Sequence, residues 1–131
     1  MDGEKKRRPL RVYLVEDSAH VRDLLLDFLQ VPGEVEIVGY SDSEAESVAA
    51  IISQPVDAVI VDLKLREGSG MGVIEKLRQA HLSPAPKLIV FTNHPFPEIR
   101  RRAMQVGADH FFDKSADYDS VRATLQALRP N

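Results

Sequence analysis

The sequence predicts an α/β protein, a parallel sheet with helices on both faces. Two observations carry that prediction. Short apolar runs rich in β-branched residues alternate with stretches whose apolar residues recur at helical spacing, and the pair repeats five times. The run Ala58-Val59-Ile60-Val61 is apolar throughout, which suits a strand covered on both sides, and it leads straight into a carboxylate, Asp62. Ligands in such sheets bind just beyond the carboxyl ends of the strands. Asp62 is therefore either a turn residue or the chemical centre of the molecule.

The elements follow in order. Residues 10–15 form the first expected strand and end at Glu16-Asp17-Ser18. Val21, Leu24, Leu25, Phe28 and Leu29 mark the stripe of the first helix, which Asp17 or Ser18 caps and Pro32-Gly33 ends. A second strand lies within 34–40, around Val35-Glu36-Ile37-Val38. Ser43 and Glu46 have the spacing of a capping box, the serine capping the helix and the glutamate reaching back. That helix puts Val48, Ile51 and Ile52 on one face, and Gln54-Pro55 stops it. The third strand is 57–61, followed by a glycine-bearing loop, 63–70. Residues 71–80 are helical with Val73, Ile74 and Leu77 inward, and Ser83-Pro84-Ala85-Pro86 is a stiff connector. Leu88-Ile89-Val90-Phe91 is the fourth strand, ending at Thr92. Pro97 suits the first turn of a helix that reaches Val106, with Gly107 as its stop. His110-Phe111-Phe112 is a short fifth strand leading to Lys114-Ser115, and 119–128 is the last helix.

Bulk properties narrow the function. A length of 131 residues suits one domain, taken as 10–131, behind a flexible basic leader, 1–9, that holds Lys5-Lys6-Arg7-Arg8. No apolar run approaches the roughly 20 residues of a membrane helix, and no secretory signal opens the chain. The absence of cysteine excludes disulfides and thiolate metal sites, so a cytoplasmic location is expected. A net charge of −3 gives no general attraction to nucleic acid.

The residues at the strand ends form a pattern. Glu16 and Asp17 follow the first strand, Asp62 the third, Thr92 closes the fourth, and Lys114 follows the fifth. In a parallel sheet these ends share one edge, so three carboxylates, a hydroxyl and an amine converge. Two carboxylates about 4 Å apart repel by roughly 4 kcal/mol at an effective dielectric near 20. Three together take up a proton or bind a cation. Carboxylate oxygens suit Mg²⁺, which prefers one or two carboxylates plus a phosphate. No histidine joins them at zinc-like spacing. A metal with a lysine opposite neutralises charge on a transferring phosphoryl group, and a carboxylate such as Asp62 can be its nucleophile.

On this ordered set the sequence resembles the response-regulator receiver domains of two-component signalling, over about 10–128. The resemblance implies a doubly wound (βα)5 flavodoxin-like receiver fold, five parallel strands in the order 2-1-3-4-5. It implies that Asp62 accepts a phosphoryl group from a phosphohistidine on a sensor histidine kinase or phosphotransfer protein. Glu16, Asp17, Asp62 and the backbone carbonyl of Lys64 then hold Mg²⁺, while Lys114 and Thr92 bind the phosphoryl oxygens. Thr92 and Phe111, three residues before Lys114, form the switch and would move inward together. Such a domain is a signalling phosphoacceptor and catalyses only its own phosphorylation and dephosphorylation. Its output is docking to a downstream protein, contact with an output domain of its own if the chain is a fragment, or a homodimer. The expected surface is the Pro97–Val106 helix, the fifth strand and the last helix, with Arg100-Arg101-Arg102 on its solvent side. Direct nucleic-acid or membrane binding is not expected.

The chain departs from the family pattern in places. Asn93 stands where the family usually has a small residue, and Lys64 and His94 occupy positions that tune phosphate lifetime. Ser115 replaces the proline that often follows the lysine, so the cis peptide usual there has no basis. His20, His81 and His110 are expected to be structural, and Phe91 and Phe112 core. A phosphatase of the haloacid dehalogenase type would need an aspartate at Lys64. A flavodoxin-like binder would need a Ser/Thr-rich phosphate loop where Glu16-Asp17 stands, and a nucleotide-binding fingerprint is absent. A module that no longer takes phosphate is the remaining alternative.

Overall fold

A computed structural model describes residues 8–129. Ten elements alternate along them: β1 (Leu10–Val15), α1 (Ala19–Leu29), β2 (Val35–Ser41), α2 (Glu44–Ile52), β3 (Ala58–Val61), α3 (Gly70–Gln79), β4 (Lys87–Thr92), α4 (Pro97–Val106), β5 (His110–Asp113) and α5 (Tyr118–Leu128). All strand pairings are parallel, in the order β2-β1-β3-β4-β5. This is the doubly wound arrangement expected from the sequence, with the all-apolar β3 at its centre.

Side-chain alternation along the strands sorts the core into two layers. Tyr13, Val15, Val59, Val61, Leu88, Val90 and Phe111 pack with Ile51 of α2, Val73, Ile74 and Leu77 of α3 and Ala103 of α4. Their neighbours Val12, Leu14, Ala58, Ile60, Ile89 and Phe91 pack with Leu25 and Leu29 of α1 and Val121 and Leu125 of α5. Tyr118 sits edge-on to Phe91, with ring centres 4.9 Å apart, and joins α5 to this second layer.

Several local expectations need correction. Leu24 is 43% exposed and Ile52 46%, so each apolar stripe is narrower than its periodicity suggested. Phe112 is half-buried, whereas Phe91 is buried as expected. β2 runs on to Ser41. Asp57 lies outside β3, where its carboxylate accepts the Arg11 N–H at 2.8 Å and the Arg8 guanidinium at 2.9 and 3.0 Å. The capping box is half formed. Ser43 Oγ accepts the Glu46 N–H at 3.3 Å, but the Ser43 N–H goes to Ser41 Oγ, which itself donates to Glu46 Oε1. A serine at the end of β2 thus takes the place of the glutamate. The bond after Lys114 is not cis, in line with the serine that follows it, and among the described residues the cis peptide is Ser83–Pro84. The basic residues Lys5, Lys6 and Arg7 lie outside the described residues.

Leu25 and Leu24 give a direct test of which face of α1 is covered. Leu25→Ala, at a fully buried site, should cost about 3 kcal/mol in urea unfolding. Leu24→Ala should cost less than about 1 kcal/mol. Equal losses would contradict the packing of α1.

Candidate functional site

Backbone pairing continues one residue past the strand ends and sets the height of each functional group. The Glu16 N–H donates to the Ser41 carbonyl at 3.0 Å, the Asp62 N–H to the Val15 carbonyl at 2.8 Å, and the Lys114 N–H to the Thr92 carbonyl at 2.9 Å. The sheet order places β3 between β1 and β4. Asp62 therefore has Glu16 and Asp17 on one flank and Thr92 and Lys114 on the other.

The side chains converge. Lys114 Nζ lies 2.8 Å from Glu16 Oε1, 3.0 Å from Glu16 Oε2 and 2.7 Å from Asp62 Oδ2. All three side chains are nearly enclosed, at 5% exposure for Lys114, 3% for Glu16 and 7% for Asp62. Burial pushes the Glu16 carboxyl above its ordinary value, against the pull of the Lys114 ammonium. Burial disfavours the charge on Lys114, but its hydrogen bonds to Asp62 and Glu16 prevail and raise its pKa. Removing one partner of such a buried set costs about 3–5 kcal/mol, because a charge is left uncompensated.

Asp17 completes an acidic group. Glu16, Asp17 and Asp62 each offer a carboxylate oxygen, and these lie within 4.8 Å of one another, with Asp17 on the exposed side. Three carboxylates against one ammonium leave two negative charges in excess. That excess and the all-oxygen donor set fit a small, hard, divalent cation. The imidazole and thiolate ligands of a zinc site are absent from the group.

A cleft of about 300 Å³ opens over this edge, lined by Asp17, Ser18, Val21, Asp62, Lys64, Asn93, His94 and Lys114. Glu16 and Thr92 are not among its lining, although both belong to the predicted set. Thr92 is fully buried, and its Oγ1 accepts the His94 N–H at 3.1 Å. Phe111 already lies inward, at 8% exposure, in the layer beneath α4, with the Arg100 guanidinium 6.0 Å from its ring centre. Asn93, His94 and Lys64 are exposed at the cleft mouth. In the sequence Ser18 stands out only as a helix cap. It is the N-cap of α1, and its N–H also holds Glu16 Oε2 at 3.1 Å. A serine directly after two acids was the available signal.

The comparisons with known proteins bear on the fold and the family. Residues 12–126 match the response regulator receiver domain family. A protein-glutamate methylesterase/protein-glutamine glutaminase of Agrobacterium fabrum is 32% identical over 111 residues, 84% of this chain and 31% of that protein. The chain thus spans about a third of the length of that relative. Among solved structures, a DNA-binding response regulator of the LuxR family from Staphylococcus aureus superposes with a TM-score of 0.82 at 20% identity, covering 91% of this chain and 98% of that one. The Vibrio cholerae chemotaxis protein CheY4 gives 0.78 at 22% identity, covering 92% and 98%. These two likenesses speak to the fold. The family match over most of the chain speaks to kinship, and this chain belongs to the response regulator receiver domain family.

Proposed function

We propose that Asp62 accepts a phosphoryl group from a phosphohistidine of a sensor histidine kinase or phosphotransfer protein, in a Mg²⁺-dependent reaction in the cytoplasm. The observation that carries this reading is the Lys114 ammonium between Asp62 and Glu16 beside the carboxylate of Asp17. Lys114 engages Asp62 Oδ2 at 2.7 Å, while Oδ1 has only a long contact, 3.5 Å, to the Lys64 N–H. Oδ1 is thus the freer nucleophile. It attacks phosphorus, the P–N bond breaks, and the imidazole leaves with the electron pair.

Glu16, Asp17, Asp62 and the Lys64 carbonyl would hold Mg²⁺, which supplies neutralisation of charge on the transferring phosphoryl oxygens. Lys114 supports one phosphoryl oxygen by charge. Thr92 Oγ1 accepts from His94 and still has its own hydrogen to donate to another.

The response is a shift between conformers that differ by a few kcal/mol. A phosphoryl group adds charge and acceptors that draw Thr92 and Lys114 onto it. Thr92 ends β4, next to the 93–96 loop and α4, so this movement reaches α4, β5 and α5, the surface for a downstream partner, an output domain or a second copy. Phe111 would follow Thr92 within the layer it already occupies. Asn93, His94 and Lys64 tune water access to the acyl phosphate.

Two measurements test this reading. With Mg²⁺ and a small phosphoryl donor, the wild-type chain should take up label, and Asp62→Asn or added EDTA should abolish uptake. Label retained by Asp62→Asn would remove Asp62 from its role. Asn93→Ala and Lys64→Ala should each change the half-life of the phosphorylated form, and unchanged half-lives in both would contradict the tuning role.

A further inference from the structure

Glu44, the first residue of α2, has no part in the chemistry above, yet the loop that follows Asp62 is built around it. Glu44 Oε1 accepts the Ser69 N–H at 2.9 Å, and Oε2 pairs with Lys76 Nζ of α3 at 2.8 Å. Its own N–H donates to the Glu67 carbonyl at 2.9 Å, beside a parallel bridge between Ser43 and Glu67. One residue earlier on each side, the Arg66 N–H donates to the Asp42 carbonyl at 3.1 Å and the two side chains pair at 2.9 Å. The loop and the first turn of α3 fit closely around this side chain. Gly68, with φ at 77°, and Gly72 both abut Glu44 so closely that a Cβ on either would overlap its side chain. The Glu44 side chain is 17% exposed, and Lys76 and the Ser69 N–H hold its carboxyl below the ordinary range.

The contacts run on toward the site. Ser69 forms an antiparallel bridge with Lys64, and the Gly70 N–H closes the loop on the Leu63 carbonyl at 2.9 Å. The Lys64 backbone is thus set by Ser69, and Ser69 by Glu44. We propose that Glu44 is a positioning residue for the Asp62 site, clamping the 63–69 loop and so fixing the Lys64 backbone beside the acidic group. This rests on the assignment of the Lys64 carbonyl as a metal ligand above, and it makes the start of α2 part of the support for the site. The acceptor is what the clamp needs. A group bonded directly to a metal ligand typically governs metal affinity by about 10–100-fold, and Glu44 acts one step further out, through Ser69, so the lower end of that range applies.

The test uses the whole chain with Glu44→Ala, Glu44→Gln and Lys76→Ala, each first shown to be folded by circular dichroism and cooperative unfolding. Amide exchange without metal reads the clamp. Mg²⁺ titration, followed by the amide shifts of Lys64 and Ser69, reads the site. Glu44→Ala should speed exchange at Ser69 and Gly70 about tenfold, as expected for one lost hydrogen bond to a charged group. It should weaken Mg²⁺ binding by about tenfold. Glu44→Gln keeps an acceptor and should stay within about threefold of wild type in both. Lys76→Ala removes an exposed partner and should change both by no more than about twofold. Exchange unchanged in Glu44→Ala overturns the clamp whatever Mg²⁺ does. Faster exchange with unchanged Mg²⁺ affinity overturns its link to the site. A wild-type chain with a slow-exchanging loop that binds no Mg²⁺ instead overturns the metal reading itself, and the positioning role with it.

Discussion

One buried ammonium holds the functional edge of this domain together. Lys114 reaches from the end of β5 to Glu16 at the end of β1 and to Asp62 at the end of β3, with contacts of 2.7 to 3.0 Å. Without it, two enclosed carboxylates would face each other where water cannot screen them. The lysine makes the cluster tolerable but does not cancel it. Asp17 and one further charge remain, so the resting chain is stable and still attractive to a cation. Stability and receptivity come from the same side chains.

The sheet turns this local chemistry into a directed site. β3 is buried at every position, and its neighbours are β1 and β4. The strand that carries Asp62 is therefore fixed from both sides before any ligand arrives. Acids stand on the β1 flank, a hydroxyl and an ammonium on the β4 and β5 flank. A phosphoryl group on Asp62 would touch both flanks at once. The loop after β3 is held from a third direction, by the start of α2.

The sheet order followed from the resemblance, and the strand ends could be read directly, because apolar runs and the polar residues that follow them are local signals. Glu16, Asp17, Asp62 and Lys114 were legible for the same reason, each standing at a strand end. The face of a helix was harder to read. Leu24 and Ile52 fit helical spacing yet remain exposed, since periodicity does not say how wide a stripe the sheet can cover. The failed half of the capping box has a similar cause. Ser41 lies outside the four-residue pattern but reaches the Ser43 N–H first. Glu44 carried no local signal at all, because its partners Ser69 and Lys76 are far along the chain and meet it only once α2 and α3 pack side by side.

The most direct test of the account is to map the modified residue chemically. Borohydride reduction of the phosphorylated chain converts an aspartyl phosphate to homoserine, which peptide mass spectrometry locates. The account predicts homoserine at position 62 alone. Homoserine at position 17, or a phosphorylated chain with no reducible acyl phosphate, would contradict it.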